Sequence, residues 1–194
     1  MMNTKEKIFL TAAELFSKSG YDSVSVREIC DAAGITKPVL YYYFKDKESL
    51  LKELIEETFR IGDELKQKYF KEENDFFENI YAVIKIYKVF LKRYRPFAQF
   101  SAFLNTMTIP DELVKRKTER AGNEMKLFKK YLKYGQDIGY VPKDSDIDSL
   151  ANIIIGSVAF VALQNILFGF NKKDINKKLD NLFVMWKKDL FIEK

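Results

Sequence analysis

Between Val24 and Lys47 the chain is punctuated so densely that only two short helices fit into the space. Ser25 followed three residues later by Glu28 is the spacing of a capping box, and Val24 with Ile29 stands at the positions of a hydrophobic staple. A helix therefore opens here. It can run only to about Ala33, because Gly34 supplies the left-handed backbone that ends it. Thr36 then caps another helix with Pro38 in its first turn. After a break at Phe44 and Lys45, Asp46 caps a fourth helix that runs from Lys47 to about Tyr69. Upstream, Ile8, Phe9, Ala12, Ala13, Leu15 and Phe16 recur at helical spacing from Thr4 to Ser19, and Gly20 terminates that first helix.

A helix, a short capped helix, a glycine turn and a second short helix make the pattern of a helix-turn-helix, whose second helix lies in a DNA major groove. Where the two helices touch, a small residue is needed. Cys30 stands there, four residues before Gly34, and reads as a small core hydrophobe with Ile29, Ile35 and Leu40 around it. The second short helix carries three tyrosines in a row, and consecutive side chains point about 100° apart, so one face cannot bury them all. With Leu40 inward, Tyr43 and Phe44 share its face. Tyr41 and Tyr42 are left outward, each offering a ring to thymine methyls or sugars and a hydroxyl to a phosphate.

Past Tyr69 the pattern stays helical, over roughly 75–94, 97–106, 111–138, 146–169 and 173–191, with boundaries at Pro96, Pro110 and Gly139 to Pro142. No sustained strand alternation and no internal repeat is evident. Leu150 to Phe170 carries no charge and is long enough to cross a bilayer. Asn152, Ser157, Gln164 and Asn165 interrupt it, however, and no Trp or Tyr anchors its ends. The expectation is a fully buried helix of a globular protein.

Composition narrows the function classes. There is no histidine, which removes the usual general base and the commonest metal ligand. Carboxylates lie on amphipathic faces without a catalytic constellation, so no catalytic residue, metal site or cofactor is expected. A single cysteine excludes an intrachain disulfide and fits a reducing cytoplasm. Lys5, Glu6 and Lys7 lead directly into an amphipathic helix, unlike a signal peptide. The net charge of +5 does not mark the DNA-binding region, because residues 1–50 hold seven basic and seven acidic groups. An argument for DNA must rest on where Lys and Arg stand locally.

The run "GYDSVSVREICDAAGITKPVLYYYFKDKESL", from Gly20 to Leu50, resembles the DNA-binding domain of the TetR family of bacterial transcriptional regulators. The resemblance covers about the first 50 residues. It implies an all-α chain of about nine helices: a helix-turn-helix domain over residues 1–50, and a helical effector-binding and dimerisation domain over 51–194. It places Thr36, Lys37, Pro38, Val39 and Tyr41 nearest the bases, and Arg27, Tyr42 and Lys47 on phosphates. Ser25 completes the DNA-binding set. At a helix N-terminus the free backbone N–H groups attract phosphate, which Lys47 would reinforce.

The same resemblance implies a cytoplasmic homodimer that binds a palindromic operator in double-stranded DNA and is released, as a repressor, by a small hydrophobic effector. The last two long helices are then the dimer surface, with Ile155, Ala159, Ala162 and Ile166 on one and Leu179, Phe183 and Trp186 on the other. The effector pocket is expected among Phe97, Phe100, Phe103, Leu104 and Met107 in one stretch. Met125, Phe128, Tyr131, Phe160 and Gln164 complete it further on. Three other readings are weighed beside this one: control by a protein partner, a membrane-associated helical protein and, weakest, an enzyme.

Overall fold

The computed structural model describes residues 3–169 and 171–192, and among these the chain is all helix. The nine elements in order are α1 (Thr4–Ser19), α2 (Val26–Ala33), α3 (Lys37–Tyr43), α4 (Lys47–Tyr69), α5 (Phe76–Arg93), α6 (Arg95–Phe103), α7 (Asp111–Asp137), α8 (Ile147–Phe168) and α9 (Lys172–Asp189). The caps expected from the sequence mostly form. The Glu28 amide donates to Ser25 Oγ at 3.2 Å while the Ser25 amide donates to Glu28 Oε2 at 2.7 Å. Asp46 and Ser49 make the matching pair at the start of α4. Gly34 ends α2 at φ 58° and ψ 43°, where any Cβ is strained. Thr36 is an exception. Its backbone starts α3, yet its side chain makes no capping bond, and Pro38 in the first turn removes one of the amides it could have served.

The chain forms two compact units, each assembled from two stretches. One comprises the residues up to Glu64 with Arg93–Val114, and holds α1 to α3, most of α4, and α6. Its interior is Ile8, Ala12, Phe16, Ile29, Cys30, Leu40, Phe44, Leu50 and Leu54, all buried. Burial pushes the Cys30 thiol up from its ordinary pKa, as befits a core residue rather than a reactive one. Ile35 is only half-buried. Helix α6 lies against α1, with the Phe16 and Phe100 rings 6.5 Å apart.

The other unit comprises Leu65–Lys92 and the chain from Lys115 onward, and centres on Phe76. The Phe76 ring stacks on Tyr131 at 5.5 Å and on Tyr140 at 5.2 Å, and meets Phe191 edge-on. Gly135 in α7 permits this, since a Cβ there would stand 2.7 Å from Phe76 Cζ and 3.0 Å from Val141 Cγ2. Helices α5 and α9 are tied by Asp180, which accepts from the Tyr81 hydroxyl at 2.6 Å and from the Lys88 ammonium. Burial pushes the Asp180 carboxyl up, but the Lys88 and Tyr81 hydrogen bonds outweigh it and hold the pKa below its usual value. The stability this contributes is therefore present above the ordinary carboxylate range and lost as acid titrates the group beneath it. Asp180→Ala is expected to cost about 1 kcal/mol at neutral pH, a charged hydrogen bond discounted for partial exposure. Urea denaturation at pH 7 and pH 3 checks this, the difference between variant and parent shrinking at the lower pH.

Helix α8 departs from the sequence expectation of full burial. Leu150, Ala151, Ile154, Val158, Ala162 and Asn165 face inward, whereas Ile153, Phe160 and Leu167 are exposed, with Gly156 and Ala159 between them. The helix is apolar on both faces, and its own chain covers only one of them. By length and hydropathy it could cross a membrane, and a third of its apolar window is buried. Phe170, the last residue of the uncharged run, lies outside the described residues.

Candidate nucleic-acid interface

Helix α3 stands on a fully buried base: Leu40 is wholly inaccessible and Phe44, which closes the helix, nearly so. Phe44 packs on Phe9 of α1 with ring centroids 5.5 Å apart, which fixes the roll of α3 about its axis. That roll turns the other residues out. Thr36, Lys37, Pro38 and Val39 are exposed, Tyr41 is 50% exposed and Tyr42 82% exposed. Tyr43 is half-buried and holds the Tyr42 ring edge-on at 5.0 Å. The missing Thr36 cap bears on this face, because its hydroxyl is not committed to the start of α3.

Arg27 on α2 is exposed and only loosely paired with Asp31, at 3.7 Å. Such a pair is weak and yields readily to a phosphate. Ser25 spends its hydroxyl on the Glu28 amide, so only its position at the helix start remains available. Lys7 on α1 is a residue that sequence reasoning missed. Its Nζ lies 3.6 Å from where a Cβ on Gly34 would stand, beside the α2–α3 turn. No local signal marks it, because on α1 it is one of several solvated charges.

Lys47, expected on a phosphate, is held largely from within the molecule. Its ammonium donates to the Tyr21 and Val24 carbonyls, each at 3.0 Å, and lies 4.2 Å from the centre of the Tyr21 ring. Two of its three N–H groups are therefore committed inside the molecule. One of the free amides of α4 on which a phosphate was to rest is also taken, since Asp46 Oδ1 accepts from the Ser49 amide at 2.7 Å.

Elsewhere the expected sites are redistributed. Phe97, Phe100 and Leu104 are buried in the first unit, where Phe103 and Met107 line a groove of about 270 Å³ beside Gly20 to Ser23. Met125, Phe128, Tyr131 and Gln164 are half-buried in the second unit, and Tyr131 is held there by its stack on Phe76. Phe160, expected in a pocket wall, is 60% exposed on the outer face of α8. Among the expected dimer residues, Leu179 and Trp186 are wholly buried and Ala162 nearly so, all within the single chain. The amphipathic face of α9 is turned to its own chain, and the exposed apolar residues there are Val184 and Met185. Ile155, Ile166 and Phe183 are half-buried, and Ala159 is exposed.

Outward polar and aromatic side chains on a two-turn helix, above a dry hydrophobic base and behind a left-handed glycine turn, define a helix-turn-helix DNA-binding protein. Residues 8–54 match the family model for bacterial regulatory proteins, tetR family. The HTH-type transcriptional regulator AcrR of Shigella flexneri is 43% identical over 53 residues, 27% of this chain and 25% of that protein. The uncharacterized HTH-type transcriptional regulator YdgC of Bacillus subtilis is 24% identical over 172 residues, 87% of this chain and 84% of that one. In fold, the chain is similar to a candidate fatty acid metabolism regulator of Clostridium perfringens, with TM-score 0.72 and 25% identity over 96% of this chain and 100% of that one. Residues 8–54 thus carry the DNA-binding domain of the tetR-family regulatory proteins, and over most of its length the chain is similar to transcriptional regulators.

Proposed function

We propose that the chain is a repressor that binds a palindromic operator as a homodimer, through α3, and leaves it when a small apolar effector occupies the second unit. The observation that carries this reading is the exposure of Thr36 to Val39, Tyr41 and Tyr42 on a helix whose other face is sealed by Leu40 and Phe44. Lys37 and Tyr41 are the base-reading residues in this account, and Arg27 and Tyr42 hold phosphates. One such helix buries too little surface for a useful operator affinity, so two copies are needed about one helical turn apart. The outward stripe of α8, with Val184 and Met185 of α9, supports the pairing, since an apolar strip of this length is rarely left to water.

For the effector, support comes from the aromatic interior of the second unit and from the likeness to the clostridial protein, whose description concerns fatty acid metabolism. A long-chain acyl compound is the class that fits. Ligand and DNA must then compete through one equilibrium, with the ligand favouring dimers whose reading heads no longer match the operator.

The test is an electrophoretic shift on duplex DNA from upstream of the protein's own gene. A retarded band that survives excess random-sequence competitor, and fades on adding a long-chain fatty acid or its coenzyme A thioester, is the expected result. Loss of the band to random competitor at equal mass would overturn operator binding. A band indifferent to every acyl compound would overturn the effector class alone.

A further inference from the structure

We infer that Lys47 acts as a positioning residue, a clasp that staples the α1–α2 turn to the start of α4 and so sets where α2 presents its N-terminus to DNA. The inference rests on the DNA-binding reading above and refines it. The turn from Tyr21 to Val24 is closed on its own only by the Val24 amide, 3.4 Å from the Tyr21 carbonyl, which is a long bond. Lys47 bonds the carbonyls at both ends of this turn at 3.0 Å, reaching back 26 and 23 residues. The Tyr21 ring covers the same ammonium at 4.2 Å, and that ring meets Phe16 of α1 edge-on at 5.4 Å. One side chain thus ties together α1, the turn and α4.

The residue after Val24 is Ser25, the cap of α2, and Arg27 follows in the first turn. A slack turn would let both wander while every helix remained folded. The surroundings favour a clasp over a phosphate grip. Besides burial, the carboxylates of Glu48, Asp22 and Asp46 raise the pKa of the Tyr21 hydroxyl, so the spot is an acidic one. An ammonium placed there lies in the field of local carboxylates before it meets DNA, and two of its three donors already bond carbonyls. The carbonyl acceptors and the ring also fix the ammonium in direction, which a solvated lysine lacks.

The experiment is a double-mutant cycle with Lys47→Gln and Tyr21→Leu. It is read as affinity for a duplex that the full-length protein has selected from a random pool, over a range of salt concentrations. If the two residues form one clasp, each single variant binds about tenfold more weakly, the double variant no worse than the weaker single, and Tyr21→Phe stays within about twofold of the parent. The salt slope of Tyr21→Leu stays at the parental value, because no phosphate contact is lost. Multiplying losses, together with a slope reduced by about one ion in Lys47→Gln alone, would show Lys47 gripping a phosphate independently and would overturn the clasp. So would a Tyr21→Phe variant as weak as Tyr21→Leu. A parent that selects no duplex overturns DNA binding itself; the clasp is then judged by the same cycle in thermal melting, where additive effects refute it.

Discussion

Phe160→Glu is expected to turn the proposed dimer into a folded monomer and to weaken operator binding by about 10²- to 10⁴-fold, the advantage that two linked half-site contacts hold over one. The reasoning starts from α8. Phe160 is 60% exposed and lies seven residues from Ile153 on one side and Leu167 on the other, so the three share one face at two-turn intervals. Gly156 and Ala159 keep the space between them low, which lets a second helix approach closely. A carboxylate at the centre of that strip would have to be buried unpaired on pairing, at a cost of several kcal/mol. The buried face of α8, carried by Ala151, Ile154 and Val158, is untouched, so the protomer should keep its helicity and melting behaviour. Sedimentation equilibrium and the gel shift together check this. An unaltered dimer would move the pairing surface elsewhere, and a monomer with full operator affinity would detach dimerisation from DNA reading.

Phe76→Ala is expected to cost about 3–5 kcal/mol, a large share of the stability of a chain this size. Phe76 is almost wholly buried, stacked between two tyrosines and edged by Phe77 and Phe191, so its removal leaves a cavity that flat rings cannot readily refill. Gly135 provides an internal control. In the parent, Gly135→Ala should destabilise by about 1–3 kcal/mol, because the new methyl collides with the Phe76 ring. In the Phe76→Ala background the ring collision is gone, the 3.0 Å approach to Val141 Cγ2 can relax into the space the ring leaves, and alanine is the better helix former by roughly 1 kcal/mol. The second substitution should then be neutral or stabilising. Guanidinium denaturation of the four proteins measures the cycle, and additive losses would show that the ring does not constrain position 135.

The head of the molecule was legible because the signals that build it are local. The Ser25–Glu28 box, Gly34, the Asp46 cap and the inward register of Leu40 each involve residues within a few positions of one another, and all appear as read. Thr36 shows the limit of such reading, since a capping residue type in a capping position makes no capping bond when proline disturbs the first turn. Lys47 shows a different limit. Its partners stand 26 and 23 residues earlier, and nothing in the sequence near position 47 announces that its ammonium is held by carbonyls of another turn.

The body of the molecule was legible in outline only. Helix α8 is apolar all round, so its sequence contains no contrast from which to tell the face that packs on its own chain from the face that does not. Helix α9 has that contrast, but amphipathicity states only that one face is dry, not whose surface dries it. Leu179 and Trp186 therefore fitted a partner equally well until the fold placed them inside the protomer. Sequence by itself determined where helices start and stop and which side of α3 must face out, because those depend on hydrogen bonds and side-chain angles a turn or two long. Only the tertiary structure decided which dry faces close on each other and which lysine is occupied, because burial and long-range contacts are shared between segments far apart in the chain.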